Sequence, residues 1–437
     1  VFSGSALTSI VLPKDLCEVT YDTKTRGYLM TTFDSAWNLA DIQNMPENDK
    51  YAYEGGVFYE LNSDGVKTIV DHANLENNAY VIPNTVTLVR SGAFYGCSGS
   101  TLTFEAGGTD DLVLEDSVFN NSRMKTVEFP ARLKKLGNEL FSYAKTEKVT
   151  FVDTDSEPSR LEEIPYAMFK YADNLTEIEI PRSVKKIGNE AFWPGESFFG
   201  PVKVLTKITL HEGLEEIGDR AFSNDSSGGA AFTELVIPST VKSIGNFAFS
   251  NNKKLQSVTF AKNAEGKTSL EKLGAGVFMN TAITSITIPK TLAKGVSIID
   301  WESMEEKDGI LSDSMFMSCN KLTEVVFEDG CPLVTEYGSN IFAGCTAYSV
   351  VTFPVNLEKM GKWDEYNQGG AIKSITIPKA VDEEALKSFV PSLTGVTEFA
   401  LDKDNPYLYQ DGENGAIYNK AKNVLLYYPA NLTQESY

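Results

Sequence analysis

The sequence predicts a mostly β, right-handed solenoid, and three observations predict it. One phrase recurs along the chain. IPNTVTLVRSGAF starts at Ile82, FPARLKKLGNELF at Phe129, IPRSVKKIGNEAF at Ile180, LHEGLEEIGDRAF at Leu210 and IPSTVKSIGNFAF at Ile237. The Phe that closes each phrase recurs as Phe94, Phe119, Phe141, Phe169, Phe192, Phe222, Phe249, Phe278, Phe316 and Phe342, at spacings that are mostly 22 to 30 residues. A period in that range is the mark of stacked repeats. Within each repeat, apolar residues alternate with polar ones in two short patches, which is the period of a strand.

The elements of one repeat follow in order. Leu255, Val258 and Phe260 form a β-branched and aromatic patch, and Ile283, Ile286 and Ile288 do the same in the next repeat. A proline follows at Pro130, Pro181, Pro238, Pro289, Pro354 and Pro378. Proline lacks the N–H that a ladder needs, so it ends the strand. A shorter patch follows, as at Val241 and Ile244. Gly137, Gly188, Gly218, Gly245 and Gly274 then mark a turn, where a positive φ is expected. Last comes a small residue and the Phe, as at Ala191-Phe192, Ala221-Phe222 and Ala248-Phe249. One repeat alone cannot bury this Phe, whereas stacked neighbours can, so the Phe residues are expected to form a spine. The gap from Phe278 to Phe316 is longer and holds an insertion.

Two segments stand outside the repeats and resemble each other. Tyr51 to Tyr80 contains GVFY, a polar turn, an apolar strand and ANL. Tyr407 to Tyr437 contains GAIY, a polar turn, an apolar strand and ANL. Both read as β-hairpin modules, one near each end. The expected organisation is a degenerate repeat and linker over 1–50, a hairpin module over 51–80, the solenoid of about a dozen coils over 81–400, and a second hairpin module over 401–437. The chain opens VFSGSALTSIVLP, without a basic signal region, and stops where another repeat would begin. It is therefore expected to be a piece of a longer protein that carries the signal and anchor.

The pattern I-P-x-x-V-x-x-I-G-x-x-A-F, then a small residue or Cys, then L-x-x-V-x-I, resembles the BspA-type (Treponema-type) leucine-rich repeats of bacterial surface proteins. The resemblance covers about Ile82 to Phe399, with a degenerate copy at Ala6 to Leu16. It implies a leucine-rich-repeat solenoid and a bacterial cell-surface or secreted location. It also implies partners among host proteins, other microbes or glycans.

The 437 residues carry a formal net charge of −21. That charge disfavours nucleic acid and anionic membranes as partners. No apolar run is long enough to span a bilayer, so membrane insertion of this segment is not expected. Of the five cysteines, Cys97, Cys319 and Cys345 each follow the marker Phe by three residues, where other repeats have Ala144 or Ala172. They read as small core residues rather than disulfide or zinc ligands. Cys17 and Cys331 fall outside this pattern. His72 and His211 have no nucleophile placed near them by the sequence, and Glu162-Glu163 and Glu215-Glu216 read as solvated repeat positions. No enzyme chemistry and no cofactor are expected. Asp153 and Asp155, and Asp402 and Asp404, are weak calcium candidates in acidic loops. Asx turns are the plainer reading of both.

Ligand candidates are aromatics that break the repeat. Trp193, Phe198 and Phe199 lie in WPGESFFGPVK after Phe192, and SNDSSGGAAF occupies the same place after Phe222. Inserted side by side, these segments would either fold back as a local cap over the stack or form an aromatic rim. Trp301 lies in the long insertion and Trp363 in GKWDEYNQGG, both beside acidic residues. The function expected is a non-catalytic binding or adhesion module that recognises host or microbial proteins or glycans through an extended face and inserted loops. A structural stalk is the first rival, and a hydrolase of surface glycans the second. The hydrolase would need two close carboxylates in a cleft.

Overall fold

The computed structural model describes residues 6, 8–13, 41–44, 49–72, 79–172, 174–195, 205–224, 232–300, 303–360, 372–390, 396–412 and 414–428. The chain is a mostly β, right-handed leucine-rich-repeat solenoid of about 12 turns with 3% helix. It divides into two compact units, Val1–Leu214 with Asp225–Gly228, and Glu215–Asn224 with Gly229–Tyr437.

In the first unit each coil contributes one strand to each of two parallel sheets. The strand before the proline builds Ala79–Ile82, Thr101–Phe104, Thr126–Phe129 and Lys148–Phe151, paired in sequence order. The strand before the glycine builds Val86–Val89, Leu112–Leu114 and Leu133–Lys135. The alternation has the expected result. Val127 and Phe129 are buried and Glu128 is exposed. Each proline does more than end its strand. Its carbonyl closes a four-residue turn, accepting from the N–H of Val86, Leu133 and Val184 at 3.0 Å each.

The hairpin module near the start is a three-stranded antiparallel ribbon of Tyr51–Glu54, Val57–Leu61 and Lys67–His72. Its last strand pairs in parallel with Val86–Val89, so the ribbon continues the coil sheet. In the second unit the coils repeat through Glu234–Ile237, Ser257–Phe260, Ser285–Ile288 and Glu324–Phe327. The insertion after Phe278 is an antiparallel hairpin, Lys294–Asp300 with Ser303–Asp308. The α-helix Glu383–Phe389 is capped by the Asp382 carboxylate, which accepts from the Ala385 N–H at 2.8 Å. A second three-stranded antiparallel ribbon, Leu408–Gln410, Ile417–Asn419 and Leu425–Tyr427, stands near the end.

The Phe spine is present in both units. In the first, rings stack from Phe94 to Phe119 to Phe141 to Phe169 to Phe192, with centroids 5.5, 4.9, 5.2 and 5.2 Å apart. In the second, Phe222, Phe249, Phe278, Phe316 and Phe342 stack at 5.4, 6.1, 6.2 and 5.8 Å. His72 leans on Phe94 at 5.8 Å and ends the first stack.

The glycines have a different reason from the expected one. None of Gly137, Gly188, Gly245 and Gly274 has a positive φ. A Cβ on Gly137 would lie 2.3 Å from the Glu115 carbonyl carbon, and one on Gly274 would lie 2.5 Å from the backbone of Gly245 and Asn246. These glycines let one coil's backbone touch the next. The positive φ falls instead on the residues two before and two after the marker Phe, and most of these are not glycine.

Candidate functional site

The corner that carries the Phe is a short coil of turns. Its backbone is held by hydrogen bonds to the following coil. Ala167, Phe169 and Tyr171 donate their N–H groups to the carbonyls of Asn189, Ala191 and Trp193 at 3.0, 2.7 and 3.2 Å. Glu139, Phe141 and Tyr143 donate in the same way to Tyr166, Met168 and Lys170. In this register the residue two after most of the marker Phe residues takes a left-handed conformation. Asn121, Asn251, Asn280 and Ser318 occupy it in other coils, with φ between 56° and 62°. Short polar side chains suit that conformation. Tyr143 and Tyr171 break the pattern, each with φ 59°. A bulky residue there is strained by about 1–2 kcal/mol.

The strain is offset by an aromatic ladder. Tyr143 stacks on Tyr171 with centroids 4.5 Å apart, and Tyr171 meets Trp193 at 5.8 Å. Such pairs contribute about 0.5–1.5 kcal/mol each. Lys170 lies between the ladder and Tyr166. Its ammonium is 4.6 Å from the Trp193 ring centroid, 5.6 Å from Tyr171 and 6.0 Å from Tyr166. Its Nζ donates to Glu190 Oε2 at 2.6 Å, and the Tyr166 hydroxyl donates to the same oxygen at 3.3 Å. Burial opposes the Lys170 charge, but the bond to Glu190 outweighs it and holds this lysine above its ordinary pKa. Tyr143 is 53% exposed and Tyr166 is 40% exposed. The result is a narrow aromatic ridge across three coils with an internally neutralised ion pair on its flank.

Of the residues singled out from the sequence, Trp193 belongs to this ridge, half-buried. It is not in an inserted loop. Its carbonyl occupies a regular coil position and accepts from the Tyr171 N–H. Phe198, Phe199, Trp301 and Trp363 lie outside the described residues. Tyr143, Tyr166, Lys170 and Tyr171 were not singled out. The available signal was an aromatic residue at a place where other repeats write Asn, Ser or Gly.

Asp153, Asp155 and Asp402, three of the calcium candidates, accept hydrogen bonds within the chain. Asp153 accepts from the backbone N–H groups of Ser159 and Arg182 at 3.1 and 2.7 Å, and from Arg182 Nε at 3.3 Å. Burial raises its pKa, but these donors outweigh that and hold the carboxyl below the usual range. Asp155 accepts from Arg182 Nη1 at 2.8 Å. Asp402 closes an Asx turn, accepting from the Asp404 N–H at 2.9 Å. Among the described residues no group of three or more His, Cys, Asp or Glu is arranged to hold a metal.

Cys97, Cys319 and Cys345 are buried free thiols at the expected ladder position. Cys319 and Cys345 donate to the carbonyls of Phe278 and Phe316, one coil back, at 3.1 and 3.0 Å. Burial pushes the Cys97 thiol up to about 12 and Cys319 up to about 11. Cys331 is buried too and donates to the Pro289 carbonyl at 3.3 Å. His72 is held neutral by burial, with its pKa lowered to about 4, and its Nδ1 lies 2.8 Å from the Ala93 carbonyl. The second unit has a groove of about 670 Å³ between the helix and the coil edge, lined by Glu336, Glu358, Asp382, Glu384, Ser388 and Tyr407. Glu358, Asp382 and Glu384 are exposed there, and Asp382 is occupied as the helix cap.

The chain is similar to a leucine rich cell surface protein from Faecalibacterium prausnitzii, at 18% identity over 80% of this chain and 94% of that one, TM-score 0.42. It is similar to the pneumococcal vaccine antigen PcpA, at 17% identity over 81% and 98%, TM-score 0.44. A leucine-rich repeat protein from Bacteroides ovatus is similar at 17% identity over 81% and 95%, TM-score 0.42. None of the curated proteins compared with the chain matches it. The profile of the BspA type leucine rich repeat region, in six copies, matches residues 71–196, 194–297 and 309–404. By its recurring phrase, its Phe spine and this match, the chain belongs to the BspA-type leucine-rich repeat family.

Proposed function

We propose that the protein is a non-catalytic binding and adhesion module, exposed at a bacterial cell surface or secreted, that engages host or microbial proteins or glycans. The observation that carries this reading is the ridge of Tyr143, Tyr171 and Trp193. Two of its residues put a bulky side chain on a left-handed backbone that other coils fill with Asn, Ser or Gly. Backbone strain retained against an available relaxed residue points to function. Exposed aromatics on a rigid frame are the residues that dominate recognition energy. The ridge also needs no conformational change to act, because hydrogen bonds to the next coil already hold its backbone.

The test is a screen of the purified chain against extracellular-matrix proteins, mucins and a glycan array. A Tyr143→Asn/Trp193→Ala variant, matched for melting temperature, runs beside it. A partner lost by the variant supports the ridge as the recognition surface. A partner kept by the variant moves recognition to another face. The rival reading as a glycan hydrolase is checked on the same glycans. No release of reducing ends is expected, and release abolished by Glu336→Gln or Glu358→Gln would establish the groove as catalytic instead.

A further inference from the structure

We infer that the ridge is a docking strip for a neutral pyranose chain, with Tyr143 and Asn121 as its first subsite. This rests on the reading of the ridge as the recognition surface and names its ligand class. Four features point to a sugar.

The first is the open ring. The hydrogen-bond register makes Asn121 stand to Tyr143 as Tyr143 stands to Tyr171, since Asn121 N–H donates to Ser142 and Tyr143 N–H to Lys170. Asn121 carries no ring, so the Tyr143 face turned toward that coil is left without an aromatic partner, and Tyr143 is 53% exposed. A pyranose presents a face of C–H bonds that packs on the electron-rich face of such a ring. The exposed Asn121 amide beside it offers a donor and an acceptor for the hydroxyls at the sugar's rim.

The second is charge. Lys170, the cation set against the three ridge-side rings, is already bonded to Glu190. Glu139 stands nearby, close enough to act on the Tyr166 phenol. The Lys170 ammonium is therefore already neutralised and is not held ready for an anionic ligand. The third is spacing. The rungs are 4.5 and 5.8 Å apart. An extended peptide places same-face side chains about 6.6–6.8 Å apart, which falls out of step with this ladder. The fourth is the backbone. The N–H groups of Tyr143 and Tyr171 are bonded to the next coil, so the ridge has no strand edge for a peptide to pair with there.

The experiment titrates the full chain by calorimetry with neutral hexasaccharides of gluco, manno and N-acetylglucosamine type, and with a sulfated hexasaccharide and an extended tyrosine-rich peptide as contrasts. Tyr143→Asn restores the residue type that other coils use, so it folds and removes only the ring. Tyr143→Phe keeps the ring. A neutral hexasaccharide is expected to bind wild type and Tyr143→Phe, and to bind Tyr143→Asn and Asn121→Ala about tenfold more weakly or worse. Equal affinity for Tyr143→Asn and wild type overturns the assignment, as does binding of the sulfated sugar or the peptide alone. If no saccharide binds but a protein partner from the screen is lost by Tyr143→Asn, the sugar inference falls and the ridge remains the recognition surface. If nothing depends on the ridge, both fall.

Discussion

At the scale of single residues, the same position in successive coils has a job that the backbone sets and an option that the side chain takes. Two residues past most of the Phe residues the backbone is left-handed, and Asn251, Asn280 and Ser318 simply fit it. Tyr143 and Tyr171 do not, and their ladder offsets the strain. The glycines show the opposite case, where the side chain has no option. Gly137→Ala would place a methyl 2.3 Å from the Glu115 carbonyl carbon. Overpacking of that kind costs about 1–3 kcal/mol. A denaturant midpoint unchanged from wild type would show that the coils can separate to admit it. His72 is a third case. Its folded pKa is lowered to about 4 from 6.5 by burial. The folded state therefore binds fewer protons than the unfolded one between those values. Stability is complete above pH 6.5 and falls as pH drops toward 4, by up to about 3 kcal/mol. The titratable group beside it is Asp71, whose Oδ1 accepts from the His72 backbone N–H at 2.7 Å and lies 3.9 Å from the ring Nδ1. His72→Phe keeps a ring at the end of the Phe stack and should flatten the difference in denaturant midpoint between pH 7 and pH 5. A variant that keeps the full difference would assign the titration to another group.

At the scale of the element, one coil has two short strands and a corner. It is stable only through its neighbours. The corner is where they meet. Phe119, Phe141 and Phe169 are stacked in series, and the N–H of each coil's Phe reaches the next coil's backbone. Phe141→Ala removes two stacking partners at once from a fully buried ring. It should cost about 3–5 kcal/mol. Because Tyr143 shares that corner, the same change should also weaken partner binding by the ridge. Tyr143→Asn should weaken binding without the loss of stability. Thermal melts and binding on the two variants separate these effects, and equal melting temperatures for the two would contradict the corner's role in the core.

At the scale of the whole molecule, charge is the dominant property. The net charge of −21 is spread over a surface whose ion pairs are mostly exposed. Lys134 and Lys185 share Glu162 at 3.4 and 3.8 Å, and Lys294 meets Glu306 at 3.2 Å. Exposed pairs contribute about 0–1 kcal/mol each. Self-repulsion of the net charge opposes folding and is weakened when the Debye length shrinks to about 8 Å. Added salt should therefore raise the melting temperature. A fall would mean that the pairs outweigh the repulsion. The same charge should leave the chain unbound to DNA and to anionic vesicles, measured by co-sedimentation at low ionic strength.

Period, alternation and the recurring phrase were enough to read the solenoid, its two-strand coil, the Phe spine and the Cys ladder, because each is a local pattern that stacking only repeats. The hairpin near the start was legible for the same reason, as Tyr51–Glu54 and Val57–Leu61 alternate about a two-residue Gly turn. The ridge was legible only at Trp193, which looked like an intruder in the repeat. Tyr143 and Tyr171 lie inside the repeat and interrupt none of its marker positions. The sequence shows only an aromatic where other repeats write Asn, Ser or Gly, whereas the backbone angle and the ring from the next coil that give it meaning are not written in the residues around it. The reason for the glycines was hidden in the same way, since the atom that forbids a Cβ belongs to a residue about 22 positions away. The sequence by itself determined the repeat and what it buries. Only the tertiary structure decided which side chains from different coils share a surface, because that depends on the register between coils, which inter-coil hydrogen bonds set.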